Sequence, residues 1–490
     1  MPIQPRKLVI VYQKRQKSSV SMKQSPPAAS ASASASDNSS NLNKVPSHKI
    51  NNKVNPAVTA SPSTDNMAFV PVKISRPQLL PPVLCSRRFY VYLLLLLVIV
   101  LILVVVRLVS QIKVTFVHLH LESDGDLERV TLPRSFSDSR GARCLDGSPP
   151  AYYFRPSPVV SVNYWLVYLP SGAWCTSPQN CYERSLSSKG SSNMAKTSLS
   201  YDGILSHDCQ QNPDFCMWNV VAFLYCDGGS FLGNASSPVE YNGRKLYMRG
   251  AVIFDTLVEY LTMVTQFGSA EQIVVAGSSA GGIGALIHVD RLRAMLPLSV
   301  QTLHVIVDGS MFVDTPDING DHTMARIFQD TYNMHSLNAS ASLQECTVTK
   351  SADDGWHCLF PEVYHRFVFT PMFFTNSIYD TWQRYHAVKI LCSAAECPSS
   401  NLGTLYENRD AVRTVAKDIS GSSKKNGVFL TWCPVHSMTI KRWLSWSVLG
   451  SPTLQATLTA WLRHDETMVS SDVLLDLQPA VEQCASTVGV

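Results

Sequence analysis

The stretch Gln272-Ile273-Val274-Val275-Ala276-Gly277-Ser278-Ser279-Ala280-Gly281-Gly282-Ile283-Gly284-Ala285-Leu286 decides how this chain folds. Its first five residues are an apolar run of strand length. Its last residues open a helix-like segment that continues to Asp290. Between them Ser279 sits at the centre of a G-x-S-x-G. Strand, Gly-rich turn and helix in that order form a nucleophile elbow, a turn sharp enough to project the serine hydroxyl. The small flanking residues let the backbone bend and let the helix pack close. The backbone N–H of Ala280 then points to where negative charge develops on an attacked carbonyl. The bland alternative is a small-residue turn with a bystander serine, and the strand and helix on either side argue against it.

Working outward, further strand candidates are Tyr164–Leu169, Val220–Tyr225, Leu303–Val307, Met372–Tyr379 and Val428–Trp432, with a helix candidate from Arg249 to Phe267. Short apolar strands alternating with helices predict an α/β fold of the α/β-hydrolase type. It should have a mostly parallel sheet with helices on both faces. Polar residues at successive strand ends gather along one sheet edge, where sites in such folds form. The residues there are Gly172-Ala173, Ser279, Asp308, Asp380 and His436.

An elbow serine needs a base, and the base needs an orienting acid, in the chain order Ser, Asp or Glu, His. Asp308 and Asp380 both end strands, and the residues alone leave that choice open. His436 lies just past the last strand and is the candidate base, expected to bring Nε2 within about 3.5 Å of Ser279 Oγ. His288, on the elbow helix, and His304, within a strand, read as structural. The oxyanion hole is expected from the N–H groups of Gly172, Ala173 and Ala280. No H-E-x-x-H, phosphate loop or dinucleotide fingerprint occurs, so neither metal nor cofactor is expected. The Cys pairs 175/181, 346/358 and 392/397 are spaced for disulfides rather than zinc.

The N-terminal part reads differently. Residues 1–88 hold 13 Lys+Arg against Asp37 and Asp65 alone, leaving 28 basic and 35 acidic residues in the rest. The basic tail has few aromatics, so nucleic acid is not expected as a partner. Residues 1–86 are expected to be a disordered cytosolic tail, being rich in Ser, Ala, Asn and Pro. Residues 87–108 carry an unbroken Leu/Val/Ile run flanked by Arg87, Arg88 and Arg107, and are expected to be a transmembrane signal anchor. The basic excess before it predicts type II topology, with the body in the lumen of the secretory pathway or outside the cell. Residues 109–140 read as a stem, 141–468 as a serine-hydrolase-like domain and 469–490 as a C-terminal tail. Twelve of the 13 cysteines follow the anchor, which suits a compartment that allows disulfides. Asn234-Ala235-Ser236 and Asn338-Ala339-Ser340 are sequons on the lumenal side.

With these residues quoted, the chain resembles the pectin acetylesterase family, which includes the Notum-type palmitoleoyl-protein carboxylesterases. The stretches Cys144-Leu145-Asp146-Gly147-Ser148-Pro149-Pro150-Ala151-Tyr152, Asn212-Pro213-Asp214-Phe215, Tyr225-Cys226-Asp227-Gly228-Gly229-Ser230-Phe231, Tyr379-Asp380-Thr381-Trp382-Gln383 and Cys433-Pro434-Val435-His436 are similar to the plant branch. The resemblance implies Ser279 as nucleophile, Asp380 rather than Asp308 as orienting acid, His436 as base, and esterase activity without a cofactor. Ala173 reads like the plant branch, because the Notum branch has a bulky aromatic there. Ser278 before the nucleophile reads like Notum. The expected substrate is therefore an acetylated polysaccharide, with an acylated protein as the alternative and an inactive interaction module as a third reading. For a polyanionic substrate, Arg184, Lys189 and Arg249 are candidate groove cations. Cys209 and Cys216, absent from the family pattern, are expected to pair with each other, and Cys144 with Cys226.

Overall fold

The computed structural model describes residues 92–105, 107, 125–392, 397–441, 443–446 and 452–463. The expected tail 1–86 and the C-terminal tail lie outside them, as does the first half of the expected stem, 109–124. Residues 92–105 are helical and their Leu, Val and Ile side chains are exposed. Among the described residues no helix is long and apolar enough to cross a membrane. The remainder of the expected anchor, including 87–91, lies outside the described residues.

The strands are β1 (Leu127–Thr131), β2 (Ala151–Arg155), β3 (Tyr164–Leu169), β4 (Ser198–Leu199), β5 (Asn219–Phe223), β6 (Val239–Tyr241), β7 (Arg244–Leu246), β8 (Gln272–Ser278), β9 (Thr302–Asp308), β10 (Met372–Ser377) and β11 (Gly427–Thr431). Nine form one sheet in the order β11-β10-β9-β8-β3-β5-β2-β1-β4, and β6 and β7 make a separate hairpin. From β11 to β5 every neighbouring pair is parallel. β2, β1 and β4 add antiparallel pairs at the far edge. This is the mostly parallel α/β-hydrolase-type sheet that the apolar runs predict.

The stem ends earlier than expected. Leu127–Thr131 pairs with both β2 and β4, and Leu127 is fully buried. A helix at Arg134–Arg140 follows. Residues 127–140 therefore belong to the folded domain. The alternation of this short strand is too weak to separate from a polar stem by composition.

β8 is buried from Ile273 to Ser278, and the helix after it, Ala280–Met295, is buried around most of its circumference. Its small first turn makes that possible. Gly281 approaches the carbonyls of Leu169 and Pro170 so closely that any Cβ would collide with them. The helix start and the turn after β3 are thereby held against each other.

All five expected disulfides form: Cys144–Cys226, Cys175–Cys181, Cys209–Cys216, Cys346–Cys358 and Cys392–Cys397. The first closes the longest loop of the five, with a sequence separation of 82, and on the chain-entropy account constrains the unfolded state most.

Candidate active site

Because β8, β9, β10 and β11 run parallel, their C-terminal ends lie along one edge. Ser278 pairs with Asp308 and Ser377 with Thr431 in register. Asp308 ends β9, and Ser279, Asp380 and His436 follow within a few residues of the ends of β8, β10 and β11.

Ser279 takes φ 57° and ψ −127°, a region costly for any residue with a Cβ and typically held at functional turns. The surroundings fix it. Its N–H donates to the Asp308 carbonyl (2.8 Å), and its carbonyl accepts from Ser310 Oγ (2.9 Å). Ala280 begins the helix, so its N–H has no intrahelical acceptor.

Asp380 and His436 are brought together. His436 Nδ1 lies 2.8 Å from Asp380 Oδ2 and 3.0 Å from Oδ1. Oδ1 also accepts the N–H of Gln383 (2.9 Å), capping the helix Thr381–His386. With the Nδ1 proton given to the carboxylate, Nε2 presents its lone pair. Nε2 is buried and has no hydrogen-bond partner, so the expected bond to Ser279 Oγ is not made. In free enzymes such bonds are often long and tighten when substrate binds. Burial disfavours the charged imidazole, but the carboxylates of Asp380 and Asp308 outweigh it and raise the His436 pKa above its ordinary value.

Asp308 does not bond to the imidazole. It is fully enclosed and accepts hydrogen bonds from Met438 N (3.0 Å), Thr439 N (2.9 Å), Thr439 Oγ1 (2.6 Å) and Ser278 Oγ (3.3 Å). Burial pushes its pKa up, while these donors and nearby His436 pull it back. The carbonyl of His436 rests on Gly309, which has φ 57° and no room for a Cβ. Asp308 and Gly309 thus anchor the loop that carries His436.

The turn after β3, expected to supply part of the oxyanion hole, is held from the inside. Ala173 has φ 50°. Arg184 donates to the carbonyls of Gly172 (2.6 Å) and Trp174 (3.2 Å), and Tyr225 Oη donates to the Ala173 carbonyl (2.6 Å). All three carbonyls of the turn are thereby tied back. Arg184 was a candidate groove cation and is instead committed to this turn. Arg249 likewise donates inward, to Gly141 O and Ala235 O.

Sequence reading missed the aromatic wall. Trp174, Phe312, Phe328 and Trp382 pack ring against ring at centroid distances of 5.2–6.0 Å. Phe312 and Trp382 stand 6.4 and 6.1 Å from the His436 ring. Trp174 Nε1 donates to Ser230 Oγ (2.8 Å), which fixes its ring. The only hint in the sequence was that each of Trp174, Phe312 and Trp382 lies within a few residues of a site residue.

His288 and His304 are structural. His288 stacks on Phe254, bonds the Phe231 carbonyl and Ser342 Oγ, and is pushed by burial down to about 4. His304 packs edge-on against Trp461. Among the described residues Cys175, Cys181 and His335 come close enough to hold a metal ion, but the two sulfurs are joined in a disulfide and offer no thiolate.

A sequence profile described as Pectinacetylesterase matches residues 121–484. Pectin acetylesterase 5 of Arabidopsis thaliana is 32% identical over 345 residues, covering 68% of this chain and 78% of that protein. Palmitoleoyl-protein carboxylesterase NOTUM of Schmidtea mediterranea is 28% identical over 345 residues, covering 68% and 63%. The solved structure of the Wnt deacylase Notum from Drosophila superposes with a TM-score of 0.61 at 22% identity, covering 70% of this chain and 94% of that one. That likeness speaks for the fold alone. The matched profile spans most of the chain and the plant relative is matched over most of its length, so the chain belongs to the pectinacetylesterase family and is a carboxylic ester hydrolase.

Proposed function

We propose that this chain is a membrane-anchored serine esterase that removes O-acetyl groups from a pectin-like polysaccharide outside the cytosol. The observation that carries the chemistry is the Asp380–His436 pair, whose free Nε2 lies on the same sheet edge as the strained Ser279 elbow. In this reading Ser279 Oγ attacks the ester carbonyl while His436 Nε2 takes its proton. Asp380 holds the Nδ1 tautomer and stabilises the imidazolium. The N–H groups of Gly172, Ala173 and Ala280 hold the oxyanion. The protonated His436 then gives its proton to the departing sugar hydroxyl. Water, deprotonated by the same histidine, attacks the acetyl-enzyme and releases acetate and free Ser279.

The preference for acetyl over a long acyl chain rests on the aromatic wall. Two of its rings, Phe312 and Trp382, stand beside the imidazole, and Trp174 and Phe328 back them, in space that a fatty chain would need. The identities to named plant pectin acetylesterases, 30–32%, against 23–28% for named Notum proteins matched over comparable lengths, point the same way. The competing reading, a protein O-deacylase, is favoured by Ser278 before the nucleophile. A panel of acetyl, butyryl and long-acyl esters, given to the protein and to Ser279→Ala, decides between them. Acetyl hydrolysis that disappears in the variant supports the proposal, and preference for long-acyl esters would replace it with the deacylase. The anchor and lumenal body are tested by protease added to intact microsomes, which should trim only residues before the anchor. Digestion of the body would reverse the topology.

A further inference from the structure

A cavity of about 440 Å³ lies apart from Ser279 and His436, lined by Arg134, Arg143, Arg244, Lys245, Asp146 and Tyr247 among others. Four cations face one carboxylate there, in a body where acidic residues outnumber basic ones. One oxygen of that carboxylate is engaged: Asp146 Oδ1 accepts from the N–H and hydroxyl of Ser148, at 2.9 and 2.5 Å. Arg143 pairs with Asp138 at 3.1 Å and lies over the Tyr247 ring. Lys245 meets Glu240 only at 3.9 Å, with both side chains largely exposed, a pair worth little. Arg134 and Arg244 are exposed and have no ion pair among the described residues. Local positive charge of this kind is complementary to a chain of anions.

The cavity is tied to the catalytic edge. The residues just before its lining stretch Asp146-Gly147-Ser148 are joined to the segment after β5 by the Cys144–Cys226 disulfide and by Leu145 N donating to Cys226 O (2.9 Å). That same segment accepts Cys175 N, at the end of the oxyanion turn, through Gly228 O (2.9 Å). Ser185, another lining residue, is next to Arg184, which grips that turn.

We propose that this cavity is a subsite for the carboxylates of a polyuronate chain, holding sugar residues beyond the one whose ester is cleaved at Ser279. It rests on the esterase reading for its catalytic role, whereas its binding chemistry does not depend on it. Each Arg would take a carboxylate through parallel N–H donors.

The test uses Ser279→Ala full-length protein and a de-esterified galacturonate oligomer as probe, with affinity measured at two salt concentrations. Salt-sensitive binding is expected, weakened about tenfold or more by Arg134→Gln combined with Arg244→Gln. Both residues are exposed, so hydrolysis of a small acetyl ester by the otherwise unchanged enzyme should survive the pair of substitutions. That surviving hydrolysis shows the variant folded. Unchanged oligomer affinity in the variant overturns the proposal. So does equal affinity for a neutral oligomer of the same length, or binding of a sulfated glycan without binding of the galacturonate oligomer. Should the small ester not be hydrolysed even by the unmodified enzyme, the esterase reading fails while the binding result still decides the subsite.

Discussion

Asp308 and Thr439 are joined by two hydrogen bonds, from the threonine N–H (2.9 Å) and its hydroxyl (2.6 Å), both to Oδ2. Through them the end of β9 holds the backbone three residues past His436. The two aspartates that sequence reading had to choose between thus do different work: Asp380 bonds the imidazole, and Asp308 holds the loop. Asp308→Asn should destabilise the fold by about 1–3 kcal/mol, because donors buried around a carboxylate lose charge-assisted bonds. It should lower kcat by no more than about 10²-fold, the scale of a small misplacement. Asp380→Asn should cost on the order of 10⁴ in kcat with little change in stability, by spoiling the histidine tautomer. Denaturant melts and steady-state kinetics of both variants separate the roles. A larger kcat loss in the Asp308 variant would exchange them.

Activity should be limited at low pH by His436. Burial opposes its charge, but Asp380 and Asp308 raise its pKa above 6.5. A base must be neutral, so kcat/KM should fall as pH drops through a value above 6.5. The sign for stability is opposite. A raised folded pKa favours the protonated ring in the native state, so this contribution is full below about 6.5 and is lost as pH rises through the folded pKa. A pH profile with a small acetyl ester checks the activity limb, and a midpoint below 6.5 would contradict the electrostatics.

How much of this was legible beforehand follows from distance along the chain. The elbow was legible because strand, turn and helix are contiguous in sequence. Four disulfides were legible because their partners lie 5–12 residues apart. Asp380 and His436 were nominated by their places after strands and by the family resemblance, and they meet. What could not be read was side-chain direction. Arg184 looked like a surface cation because charge alone does not reveal that a guanidinium is satisfied by two carbonyls. The aromatic wall draws one ring from each of four distant segments, so no local pattern signals it. β1 was hidden for a related reason: a five-residue edge-side strand becomes evident only against its partners.

Arg184 acts on the oxyanion turn through Gly172 and Trp174. Arg184→Met should lower kcat by about 10- to 100-fold with KM nearly unchanged, somewhat less than removal of an oxyanion donor itself. Arg184→Lys should recover only part of this, since a single ammonium cannot match the planar fork. Kinetics on one ester across the three proteins provide the check. A rise in KM at constant kcat would instead mark Arg184 as a substrate contact.

Trp174 should set acyl length. Trp174→Leu removes part of the ring that meets Phe312, Phe328 and Trp382 and should cost stability, on the order of 2–4 kcal/mol. The ratio of butyryl to acetyl ester hydrolysis is insensitive to the fraction folded and should rise about tenfold. An unchanged ratio would mean that the wall does not border the acyl group.

The central claim is that Ser279 is the nucleophile. Its most direct test is covalent labelling of the native protein with a fluorophosphonate, followed by peptide mass spectrometry. The account predicts one adduct, on the peptide containing Ser279, lost when His436 is replaced by Ala or when the protein is unfolded first. Native protein that takes up no label, or takes it up on another serine while ester hydrolysis persists, would contradict it.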